Sequence, residues 1–143
     1  MLVKQISVFL ENKSGRLAEV TRILAGGDIN ISALCIADTT DFGILRLIVN
    51  KPDEAEQLLR SAGFTVSGTS VIAIGMEDHP GGLSGVLGVL EENQIGIEYL
   101  YAFVGRKEGM AYVILRVESP EKAVDALSQA GVRVLSSREI YEM

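Results

Sequence analysis

Apolar residues recur along this chain with two periods in turn. Ile6, Val8 and Leu10 fall on every second position, the spacing of a half-buried strand. Leu17, Val20, Ile23 and Leu24 follow at helical spacing and make one amphipathic stripe. Ser14 stands where its hydroxyl can cap that helix, and Gly26-Gly27 is expected to end it by permitting left-handed backbone. Residues 29–37 and 44–49 are β-rich runs, separated by the turn-forming Asp38-Thr39-Thr40-Asp41. Pro52 opens a second helix at the position proline tolerates best, and Gly63 closes it. Phe64 and Val66 belong to a last strand.

The pattern then repeats. Glu11-Asn12-Lys13-Ser14-Gly15-Arg16-Leu17 returns 66 residues on as Glu77-Asp78-His79-Pro80-Gly81-Gly82-Leu83. Val20, Ile23 and Leu24 find Val86, Val89 and Leu90 at the same offset, as Ile29 and Ile31 find Ile95 and Ile97. Pro52-Asp53-Glu54-Ala55 returns as Pro120-Glu121-Lys122-Ala123, and Ala62-Gly63 as Ala130-Gly131, now 68 residues on. The two-residue drift is expected between Val49 and Pro52, as a longer third strand or turn in the second copy. Self-similarity in register over the chain marks an internal duplication.

Each copy therefore reads strand, helix, strand, strand, helix, strand. That order predicts an α+β chain of two tandem ferredoxin-like βαββαβ units with antiparallel sheets, residues 1–69 and 70–143. No linker rich in Pro, Ser or Gly separates them; the first copy's last strand runs into Ser70-Val71-Ile72-Ala73-Ile74. The expectation is an intrachain pseudo-dimer with a shared or continuous sheet. Residues 96–104 carry Ile97, Tyr99, Tyr101 and Phe103 on one face and Leu100, Ala102 and Val104 on the other. A strand buried on both sides needs cover from the other copy or from another chain. Exposed sheet edges make a homodimer the expected assembly.

Composition narrows the chemistry. The chain has 143 residues, long enough for a substantial core, and 48% of them are hydrophobic. Its net charge of −6 argues against broad phosphate-backbone binding, so no nucleic-acid partner is expected. The single cysteine, Cys35, excludes an internal disulfide, and with the single histidine, His79, excludes Cys- or His-rich metal cages. No cofactor is expected. No nucleophile–base pair or paired carboxylate site can be assembled, so the chain is not read as an enzyme. The start Met1-Leu2-Val3-Lys4-Gln5 lacks an export signal and apolar runs fall short of a membrane span, so a cytoplasmic protein without a membrane partner is expected. Cys35 reads as a small core residue, His79 as a solvent-facing loop residue, and the Tyr99–Tyr101–Phe103 stripe as packing.

Fold alone decides little, because ferredoxin-like units host unrelated functions. RNA recognition would pair aromatics with basic side chains, and a metallochaperone needs two thiols; neither is present. An acylphosphatase-like loop needs an arginine, and Arg16 has Gly82 as its counterpart. The loop sequence Glu11 to Leu17, followed by Gly27-Asp28-Ile29-Asn30-Ile31, resembles the ACT domain, a regulatory amino-acid-binding module. Asp78-His79-Pro80-Gly81-Gly82-Leu83 is closer still to that family's Asp-x-Pro-Gly-x-Leu. The resemblance covers the whole chain as two copies.

It implies a free amino acid bound at the seam between ACT-like units. A helix N-terminus offers amides and partial positive charge to a carboxylate, and glycine at 15 and 81 lets a ligand approach the backbone. Asn12 or Asp78 can accept from the ligand's ammonium, and Asn30 adds a polar anchor. On the family's geometry one site combines Asp78, Gly81, Gly82 and Leu83 with Asn30. The other combines Asn12, Gly15, Arg16 and Leu17 with Gly96, which has no side chain to offer. The first copy departs from the family at Ser14, where proline is usual. An alternative reading is an accessory subunit that binds an amino-acid biosynthetic enzyme, as the small subunits of acetolactate synthase do.

Overall fold

The computed structural model describes residues 2–38, 41–105 and 107–143. Helices and strands follow in the order β1 (Val3–Glu11), α1 (Arg16–Gly26), β2 (Ile31–Asp38), β3 (Phe42–Val49), α2 (Pro52–Ser61) and β4 (Thr65–Glu77). The second copy continues with α3 (Gly82–Glu92), β5 (Ile97–Ala102), β6 (Met110–Val117), α4 (Pro120–Gln129), β7 (Arg133–Leu135) and α5 (Ser137–Tyr141). The chain divides into two compact units. One comprises Lys4–Thr69 with Tyr141–Met143; the other comprises Ser70–Ile140 with Leu2 and Val3. The thirteen-residue β4 therefore contributes residues 65–69 to the N-terminal unit and the rest to the C-terminal unit.

In the N-terminal unit β3 lies between β2 and β1, antiparallel to both, with β4 beyond β1. In the C-terminal unit β6 lies between β5 and β4, and the short β7 pairs with the other side of β4. This is α+β architecture with two βαββαβ units. The alternation in β1 does what it predicts: Ile6, Val8 and Leu10 enter a core with Leu45, Leu47 and Val49 of β3. Val20 and Leu24 of α1, with Ala55 and Leu59 of α2, close that core. The C-terminal unit repeats it with Ile72, Ile74, Met76, Val113, Leu115, Val86, Leu90, Ala123 and Leu127. Each fully buried leucine in such a core contributes roughly 1.5–3 kcal/mol of transfer free energy.

Several local expectations are corrected. The two-residue drift is already complete at the start of β3, because Glu11 pairs with Phe42 and Glu77 pairs with Met110. The extra residues lie in the β5–β6 connection, not beside Pro52. Ser14 does not cap α1; Gly15 is the N-cap, with φ 86° and no side-chain cap bond. Gly27 is not left-handed (φ −91°), and Asp28 takes the positive φ after the helix, as Gln94 does in the second copy. A Cβ on Gly27 would meet Leu58 Cδ1 at 2.5 Å, so that glycine serves the approach of α1 to α2. Pro52 and Pro120 do open helices, and Gly63 and Gly131 follow them with φ 93° and 81°.

The strand expected to be buried on both sides is an outer strand. In β5 Tyr101 is buried, whereas Ile97 and Leu100 are exposed. Phe103 and Val104 fall beyond it. Cys35 is only half-buried, because β2 is the outer strand of its unit. The turn residues Thr39 and Thr40 lie outside the described residues. Helix α5 was not anticipated; it is held by Glu139, which accepts from the Ser136 amide at 2.7 Å and from Arg133 at 2.9 Å.

Candidate functional site

The strand-to-helix loops that carry most of the candidate residues are built alike. In the first, the Asn12 amide donates to the Asp41 carbonyl at 3.0 Å and the Lys13 amide donates to Glu11 at 2.8 Å. Gly15 then turns the chain in left-handed conformation, and its carbonyl accepts the first helical bond from Glu19 at 2.9 Å. In the second, the Asp78 amide donates to Gly109 at 3.0 Å and the His79 amide to Glu77 at 3.1 Å. Gly81 turns with φ 92°, and Gly85 donates to it at 2.9 Å. A side chain on Gly15 or Gly81 would find open space, so backbone conformation is what requires glycine there. The first-turn amides of each helix have no intrahelical acceptor and carry the positive end of the helix dipole. Leu17 and Leu83 flank them and stay 37% and 38% exposed.

The two loops differ at the next position. Gly82 sits so close to the Glu77 carbonyl oxygen that a Cβ would collide with backbone. Its counterpart Arg16 carries a guanidinium that donates to Glu19 at 3.1 Å and lies 4.0 Å from Glu11. Glu11 also meets Lys13 at 2.8 Å, and hydrogen bonding and charge from Lys13, then the charge of Arg16, hold its carboxyl below the usual range. In the second loop His79 lies on the surface, between the Pro80 carbonyl at 2.9 Å and Glu77 at 3.0 Å. The Pro80 carbonyl, then Glu77, raise its pKa above 6.5.

Asn30 and Gly96 lie elsewhere. The Asn30 amide donates to Asn50 Oδ1 at 2.9 Å, and Asn50 returns a backbone bond at 3.2 Å. Asn50 follows the last residue of β3, whereas Asn12 is tied to Asp41, just before its first. Eight residues of strand, ~27 Å, separate those ends. Within a unit the structure thus does not bring Asn30 to the Asn12 loop. Gly96 is likewise paired with Glu118 past the end of β6, and a Cβ on it would run into the Glu118 carboxylate.

Residues not anticipated frame the first loop. A cavity of about 210 Å³ opens beside Arg16 and Glu11, walled by Phe9, Phe42 and Phe64. The signal for it was Phe9, which shares its face of β1 with Gln5, Ser7 and Glu11 and, at the far end, Val3. Phe42 joins it only through strand register. Among the described residues no group of three or more His, Cys, Asp or Glu could hold a metal ion. No helix among them is long and apolar enough to cross a membrane.

A family model described as an ACT domain pair matches residues 1–143. Protein BT0572 from Bacteroides thetaiotaomicron is similar in structure with a TM-score of 0.94 at 43% identity, over 100% of this chain and 98% of that one. The ligand-free regulatory subunit of aspartate kinase from Thermus thermophilus matches with a TM-score of 0.64 at 18% identity, over 89% of this chain and 91% of that one. The corresponding subunit from Thermus flavus gives 0.61 at 17% identity, over 90% and 92%. At those identities the aspartate kinase subunits share the fold. No curated protein matches the sequence.

Proposed function

The chain belongs to the ACT domain pair family, and from that premise we propose that it is a non-catalytic regulatory protein binding a free amino acid at its strand–helix loops. The observation that carries this is the paired loop geometry. Each unit presents a left-handed glycine, Gly15 or Gly81, followed by first-turn amides that lack an acceptor within the helix. The first of them, on Arg16 or Gly82, donates to the Lys13 or His79 carbonyl, which leaves the next amides for a ligand. A carboxylate is the group such a site favours. Asn12 and Asp78, at the start of the loops, offer side-chain oxygens for an ammonium.

Regulation needs something to regulate, and the outer strands supply surface for it. Among the described residues β2 and β5 each have one unpaired edge, and Ile36 and Leu100 on them are 44% and 36% exposed. Such edges pair readily with another chain. They support a second copy of this chain, or an amino-acid biosynthetic enzyme, as the partner. The latter gains support from the likeness to proteins described as regulatory subunits of aspartate kinase.

Leu17→Glu and Leu83→Glu test the loops without disturbing the fold. Both leucines are over one-third exposed, and an acid in a first helical turn is favourable to the helix. The same charge repels a ligand carboxylate. Calorimetric titration with the amino acid found by screening should show affinity falling about tenfold or more in the double variant, with thermal stability held or raised. Unchanged affinity in the double variant would remove the loops from the site.

A further inference from the structure

We propose that the N-terminal unit holds an amino-acid subsite of its own, the cavity beside Arg16, and that it selects a free amino acid with an aromatic or other large apolar side chain. This rests on the amino-acid reading above and narrows it to one unit and one ligand class.

Register builds the apolar wall. Glu11 pairs with Phe42, so both point to one face, and Phe9, two residues earlier on β1, points there too. The Phe9 and Phe42 rings lie 5.3 Å apart, yet remain 49% and 43% exposed. Phe64 forms a further wall from the segment after α2, anchored by its packing on the core. An apolar ligand side chain placed among these rings recovers area that now faces water, and aromatic rings add edge-to-face attraction.

The charges select the other end of the ligand. Arg16 and Glu11 stand 4.0 Å apart, too far for a hydrogen bond. Arg16 keeps its bond to Glu19 and Glu11 its pair with Lys13, and a molecule with a carboxylate for the remaining guanidinium N–H groups and an ammonium for the Glu11 carboxylate adds to both. Glu11 is held anionic by Lys13 and Arg16. A bare anion or a bare amine would meet one complementary and one repelling charge. At about 210 Å³ the cavity is below the roughly 300–1,000 Å³ of drug-sized sites, which fits a molecule as small as an amino acid.

The second unit lacks this chemistry. Gly75, Gly82, Met110 and Val132 stand where the first has Phe9, Arg16, Phe42 and Phe64. The Tyr112 ring lies 3.1 Å from where a Cβ on Gly75 would be and so covers the place of the Phe9 side chain.

The test is isothermal titration of the full chain with L-phenylalanine, 3-phenylpropionate, phenethylamine and L-aspartate, alongside Phe9→Ser, Arg16→Gln and, as control, Met110→Ala. Phe9 and Arg16 lie at the surface, and thermal unfolding checks that the variants fold. L-Phenylalanine should bind, and the three other probes should bind at least about tenfold more weakly, as should L-phenylalanine to Phe9→Ser and Arg16→Gln. Met110→Ala should leave affinity unchanged. If L-phenylalanine binds equally well to Phe9→Ser and Arg16→Gln, or if only polar amino acids bind the parent chain, the subsite is overturned while the loop reading stands. If no amino acid binds the parent, both fall.

Discussion

A methyl group placed on Gly82 has nowhere to go. It would collide with the carbonyl oxygen of Glu77, backbone at the end of β4, so the first turn of α3 must move away from the strand that precedes it. Forcing an extra carbon into such a contact costs about 1–3 kcal/mol. Two neighbours calibrate the figure. At Gly81 a Cβ meets nothing within 4 Å, but φ is 92°, and an L side chain in left-handed backbone costs about 1–2 kcal/mol. At Gly85, inside α3, a Cβ also meets nothing within 4 Å, and alanine should gain about 0.8–1 kcal/mol over glycine. Urea unfolding of the full chain, followed by far-UV circular dichroism, should therefore rank Gly85→Ala above the parent and place Gly81→Ala and Gly82→Ala below it. A slope equal to the parent's confirms that stability alone has changed. If Gly82→Ala proves as stable as Gly85→Ala, the close approach of α3 to Glu77 is wrong, and with it the shape assigned to the second loop.

Other expectations follow from single groups. Glu139 has its carboxyl pulled down to about 2 by the Ser136 amide and then by Arg133. Its folded pKa lies below the ordinary 4.5, so its contribution is complete above that value and disappears as pH falls toward 2. NMR titration should show this, and Glu139→Gln should remove that part of the acid dependence; a midpoint near 4.5 would refute it. His79 should titrate above 6.5, its contribution present at lower pH and lost as pH rises through the folded value, and Glu77→Gln should bring the midpoint down. A midpoint at or below 6.5 would contradict the contacts drawn for it. Leu24→Ala, at a fully buried site, should cost about 2–5 kcal/mol in urea unfolding, and a loss under about 1 kcal/mol would place Leu24 outside the core.

The duplication and the element order were legible because their signals are chemical. Proline at a helix start and glycine after a helix end have few alternatives, and Pro52, Gly63, Pro120 and Gly131 stand where expected. The position of the two-residue drift was not legible. Strand side chains alternate with period two, so offsets of 66 and 68 put the same inward face on β3 and β6. Only backbone pairing, Glu11 with Phe42 and Glu77 with Met110, moves the extra residues to the β5–β6 connection. At the loops, Gly15 and Gly81 stood out in the sequence as turn-formers. Ser14 suits a cap by residue type, yet the left-handed Gly15 already occupies the N-cap position. The phenylalanine wall escaped because Phe9 and Phe42 are far apart in sequence and meet only through strand pairing.

Amino-acid binding is the central claim, and thermal unfolding of the full chain against each of the common amino acids tests it most directly. A ligand that binds only the native state adds RT ln(1 + [L]/Kd), about 2.7 kcal/mol at a hundredfold excess over Kd. For a chain of this size that raises Tm by several degrees. At least one free amino acid should produce such a shift, and Leu17→Glu with Leu83→Glu should diminish it. If none of them shifts Tm at millimolar concentration, the chain is not an amino-acid sensor.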